Sequence, residues 1–96
     1  MSIKFKNWNC EPQFLQYSNK RTAIRLIDSR DGDTIAVATV NLPNEKLNDN
    51  EVIIKDYSEN EGILQSLQSA SIISEPLRYV ETGFVTCPVC TLLTEI

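Results

Sequence analysis

The sequence predicts an α+β domain: a mainly antiparallel sheet of five to six strands with one helix, over about residues 59-70, packed on one face. Three observations carry this. Short runs of alternating apolar and polar residues recur from "IKFK" onward. Two β-branched-rich runs in "RTAIRLIDSRDGDTIAVATVNL" flank an Asp31-Gly32 pair, the signal of a hairpin. Only one stretch, "SENEGILQSLQSA", has helical spacing.

In order along the chain, Ile3 and Phe5 point one way and Lys4 and Lys6 the other, a half-buried strand. "NWNCEPQFLQYS" continues as extended chain. Trp8, Cys10 and Phe14 share a parity there, and Pro12 marks an edge or a bulge. A two-residue turn at Asp31-Gly32 sets Leu26 opposite Val37 and Ile24 opposite Thr39. The other face then carries Ala23, Ile27, Ala36, Ala38 and Val40, small enough for a helix to approach closely. "NLPNEKLNDNE" reads as a loop and "EVIIKDY" as a short strand. Ser58 and Glu61 fit a capping box, which starts the helix, and Ile63, Leu64, Leu67 and Ala70 form its apolar stripe. "RYVETGFVT" and "VCTLL" return to strand, with a turn or bulge at Thr82-Gly83.

With 96 residues, 42% hydrophobic and 23% charged, the chain is expected to fold as a single domain over 1-96. Its apolar runs are too short to span a bilayer, and its first residues lack the apolar core of a signal peptide. The expectation is a cytoplasmic protein whose cysteines Cys10, Cys87 and Cys90 are free thiols. A net charge of −4 lacks the basic footprint of direct nucleic-acid binding.

"CPVC" has the spacing of a zinc knuckle or a dithiol redox site. A structural zinc site needs four ligands, and the chain has no histidine and three cysteines. On a strand, Cys87 and Cys90 also face opposite ways. A redox dithiol sits at a helix start, and the residues here favour strand. Packing is the preferred reading, with a redox or metal role for Cys87 and Cys90 as the alternative. "DSRDGD" fails the calcium-loop pattern, because the third position is Arg30 and the glycine comes fifth. Without histidine no histidine-dependent triad forms, and no phosphate-loop or nucleophile-elbow motif is present. No catalytic residue, metal ligand or cofactor is assigned.

"IKFKNWNCE", "RTAIRLID", "ATVNLP", "IIKDYSENEG" and "GFVTCPVC" together resemble a family of small proteins of unknown function. The family occurs in gut bacteria of the Bacteroides and Clostridia type and in their phages and conjugative elements. The resemblance covers nearly the whole chain and brings no catalytic residues. It implies a stand-alone cytosolic protein, often encoded on mobile DNA.

The expected function is therefore a non-enzymatic protein-interaction or inhibitor module of a mobile element, and not an enzyme. A small-ligand binder with a pocket between helix and sheet is a further alternative. The expected contact residues are Asp56, Tyr57, Glu59 and Glu61, a dense group of carboxylates beside an aromatic. The expected partner is a protein with a basic surface, with no membrane and no direct nucleic-acid contact.

Overall fold

Ile3–Phe5 (β1) and Trp8–Gln16 (β2) form a tight hairpin, with Ile3 opposite Cys10 and Phe5 opposite Trp8. The structure, a computed structural model, describes residues 2–94. β2 pairs in turn with Thr22–Asp28 (β3), and β3 with Thr34–Val37 (β4), giving an antiparallel sheet in the order β1-β2-β3-β4. Asn9 offers its carbonyl to the Ser29 amide, which turns the odd-numbered peptide groups of β2 toward β3. Pro12 therefore faces the opposite side, beyond the reach of β1, where its missing N–H breaks no ladder bond.

The β3–β4 connection departs from the two-residue turn that Asp31-Gly32 predicts. Asp28 N–H bonds the Asp33 carbonyl and Gly32 N–H bonds the Asp28 carbonyl, so the loop is residues 29–32. The Asp28 side chain holds it, accepting from the Arg30 backbone N–H at 2.9 Å and from the Arg30 guanidinium at 2.9 and 3.2 Å. Gly32 still takes a positive φ of 79°. The longer loop moves the register: Arg25 faces Val37, Leu26 faces Ala36, and a bulge separates Leu26 from Ile27. A one-residue slip exchanges faces. Ala36 and Ala38 consequently join Ile24 and Leu26 in the core, and Val37 is left exposed.

After β4 the chain leaves this sheet. Ala38 N–H still bonds the Ile24 carbonyl, but the Ala38 carbonyl accepts from Lys55 N–H and Val40 N–H bonds the Ile53 carbonyl. The isolated Thr39–Ile54 bridge thus links the first sheet to a second one. That second sheet comprises Glu51–Ile53 (β5), Arg78–Thr82 (β6) and Val85–Thr91 (β7), in the antiparallel order β5-β7-β6. The expected single sheet of five to six strands is instead four strands plus three. The α+β class with one helix and antiparallel pairing holds.

The helix, Ile63–Ser69 (α1), is shorter than the predicted span, and the capping box does not form. Ser58–Asn60 is a separate 3-10 turn with Ser58 at a φ of 58°. Gly62 occupies the N-cap at a φ of 97° and has no side chain to offer. Asp56 supplies the cap instead, its Oδ1 accepting from Gly62 N–H at 3.0 Å and Leu64 N–H at 3.1 Å. α1 lies against β1 and sends Ile63 and Leu67 into the main core with Ile3, Phe5, Ile24, Leu26, Ile54 and Ile72. A smaller core of Ile53, Val80, Cys87 and Val89 lies on the other face of the second sheet. Val40, Leu42 and Leu47 of the 40–50 segment pack over it.

Candidate interaction surface

The four residues expected to make contact are close in the chain but unequally free. Asp56 is engaged by the α1 amides. Tyr57 is half-buried against the smaller core, and the Lys55 ammonium stands 5.6 Å from its ring centre. Glu59 pairs with Lys55 at 2.5 Å, and that contact holds its carboxyl down at about 2. The backbone carbonyl of Glu59 also accepts from Lys6 Nζ at 2.7 Å. Glu61 is exposed. Lys6 and Lys55 therefore dilute the negative field of this edge.

The cysteines divide between the two cores. Cys10 and Cys90 lie in the main core and Cys87 in the smaller one, the opposite-face placement their spacing implies on a strand. Burial pushes all three thiols up, Cys90 to about 11, and the Asp28 charge adds to the effect at Cys10. Thiolate is the nucleophile and the metal ligand, so these surroundings suppress both chemistries. Among the described residues, no group of three or more Cys, His, Asp or Glu is placed to hold a metal ion.

Two concavities bear on small-ligand binding. An open cleft of about 390 Å³ lies between β1 and α1, lined in part by Lys4, Gln65, Ser66 and Ser69. A cleft of about 210 Å³ collects Asn7, Trp8, Asn9, Asp28 and Arg30, but there the Asp28 carboxylate is already held by Arg30. That contact lowers the Asp28 pKa.

The exposed apolar surface concentrates elsewhere, on β6 and its turn into β7. Gly83 and Phe84 connect the Thr82–Val85 pair, and Phe84 is fully exposed. Tyr79 is 62% exposed and Leu77, just before β6, 53%. Val80 enters the smaller core, while Arg78 turns to Glu51 and binds both of its oxygens at 2.8 and 3.1 Å. Glu75 and Glu81 are exposed carboxylates beside this surface, and Arg78, also exposed, is paired with Glu51. Next to it, Leu42, Pro43, Asn44, Glu45 and Glu81 line a cleft of about 180 Å³. Comparison with protein-family models, curated proteins and solved structures finds no match to this chain.

The sequence held one readable sign of this surface. Two-residue hairpin turns favour Asn, Asp and Gly, and Gly83 is followed by a phenylalanine. A large aromatic at a turn has nothing to pack against.

Proposed function

We propose that this protein is a non-enzymatic interaction module that binds a partner protein with a basic, partly apolar surface through β6 and the β6–β7 turn. The observation that carries the reading is the exposure of Leu77, Tyr79 and Phe84 along β6 and its turn, with Glu75 and Glu81 exposed on the same stretch. Exposed aromatics rimmed by charge are the usual composition of a protein contact. The acidic total of −4 draws a basic partner and repels nucleic acid. A role as an accessory or inhibitor protein of a mobile element rests on the sequence resemblance.

A second surface, the edge at Glu59 and Glu61, is favoured by the exposure of both carboxylates. One experiment separates the two. The partner is captured from cell extract, identified by mass spectrometry, purified and titrated against variants. Phe84→Ser and Tyr79→Ser should each weaken binding at least about tenfold, the scale of an interface hot spot. Glu59→Lys and Glu61→Lys should leave affinity within about twofold, since rim charges act chiefly on association rate. The opposite pattern moves the site to the α1 edge.

A further inference from the structure

The Tyr79–Pro88 pair fixes which way the backbone of β6 faces. Pro88 has no N–H, and its carbonyl accepts from Ile54 N–H at 2.9 Å, so its peptide groups turn toward β5. Directly opposed residues of an antiparallel ladder exchange two hydrogen bonds or none. Tyr79, opposite Pro88, is therefore an unbonded pair, and its N–H and C=O point away from β7. The two-residue period of a strand gives Glu81, opposite Thr86, the same orientation. β6 is the outer strand of its sheet. Among the described residues, no backbone group from another segment bonds these outward-facing amides and carbonyls.

Such an edge is a template for a further strand. We propose that β6 is a strand-addition site, which takes an extended segment of the partner protein with a lysine or arginine two residues from a bulky apolar side chain. This rests on the reading of the protein as a module for a basic partner, and specifies how the partner is held. The added backbone bonds Tyr79 and Glu81. Its apolar side chain lies beside the exposed Tyr79 ring, and its cation lies beside Glu81. The cleft that Glu81 lines with Leu42, Pro43, Asn44 and Glu45 flanks this edge.

A second copy of this chain fits the edge poorly. Antiparallel self-pairing centred on Glu81 sets the two Glu81 carboxylates directly opposite each other, and pairing of each Glu81 with Tyr79 of the other copy leaves them on the diagonal. Each chain also carries a net charge of −4.

The probe is the peptide acetyl-Thr-Lys-Thr-Val-Thr-Lys-Thr-amide, which presents the same spacing in either direction. Saturation should slow hydrogen exchange at the Tyr79 and Glu81 amides. N-methylation of alternate peptide residues, in the phase that blocks the bonding amides, should weaken binding at least tenfold. Glu81→Pro removes an outward-facing donor that the fold does not use, and should abolish peptide binding with an unchanged circular dichroism spectrum. Glu81→Lys should weaken this peptide and improve binding of a version with Glu in place of Lys. The proposal is overturned by no binding at millimolar peptide, by equal affinity for both N-methylated phases, or by self-association of the free chain through β6. If the purified partner loses affinity with Phe84→Ser yet binds Glu81→Pro normally, strand addition fails while the interaction reading stands. If the partner ignores Phe84 and Tyr79, that reading fails first.

Discussion

The Tyr17 hydroxyl lies 2.8 Å from Thr39 Oγ1 and 3.2 Å from the Thr39 carbonyl, at the point where the chain passes from one sheet to the other. Thr39 Oγ1 also accepts from Ile24 N–H at 3.3 Å. The hydroxyl thereby takes the place of a backbone acceptor that β3 loses when residues 38–40 turn toward β5. Thr39 is buried, so these bonds have no water to replace them.

Thr39→Val keeps the shape and removes the oxygen. It should cost about 1–3 kcal/mol, because the Ile24 amide loses its acceptor and the Tyr17 hydroxyl loses its Oγ1 partner together. Urea unfolding checks this. Tyr17→Phe in the Thr39→Val background should cost less than in wild type, since the Oγ1 partner is already gone and only the residue 39 carbonyl remains.

Asp56→Ala should destabilise by about 0.5–2 kcal/mol through the lost cap on α1. Ser58→Ala should stay within about 0.5 kcal/mol, because its hydroxyl does not hold the helix start. Comparable losses at both positions would restore the capping box predicted from sequence.

Glu51 is buried and accepts from Arg78, from Asn48 N–H at 3.0 Å and from Asn48 Nδ2 at 3.2 Å. The Arg78 hydrogen bonds, then the Asn48 amide, hold its carboxyl down at about 2. An unfolded glutamate titrates near pH 4.3. The pairing therefore stabilises the fold fully above about pH 4.3, and its contribution disappears as pH falls toward 2. Glu51→Gln should be less stable than wild type at pH 7, and the gap in urea midpoint should narrow steadily below pH 4.

The three buried thiols should react with a disulfide reagent only as fast as the protein opens, and at once in urea. Zinc chelation should leave the melting temperature unchanged. A rapidly reacting native thiol at Cys87 or Cys90 would revive the redox reading of "CPVC".

Alternation made the strands legible, and the Ile63-Leu67 spacing made the helix legible. What escaped was decided by side chains bonding to backbone. The Asp31-Gly32 pair supports a two-residue turn as readily as part of a longer loop, and the Asp28–Arg30 contact selects the loop. The cap of α1 comes from Asp56, farther back than the three-residue capping template reaches. "TIAVATVNL" reads as one continuous β-branched-rich run, yet the sheet divides inside it, because the Thr39 hydroxyl releases the backbone. The acidic cluster was visible, and so was Lys55 four residues before Glu59, but its second cationic neighbour, Lys6, comes from the far end of the chain. The free edge at Tyr79 and Glu81 depends on strand order, which alternation does not encode.

The two sheets differ in when they can be completed during synthesis. β1 to β4 pair neighbour with neighbour, so each hairpin of that meander can close as soon as it clears the ribosome. β5 and β6 instead both pair with β7, which is made after them. Until then the run Val52-Ile53-Ile54 has its β7-facing side unpaired. Non-local pairing of this kind is slow, and exposed strand edges invite misassembly. The nascent chain is thus most vulnerable between the emergence of β5 and that of β7, which makes that window the natural point for a chaperone to hold it.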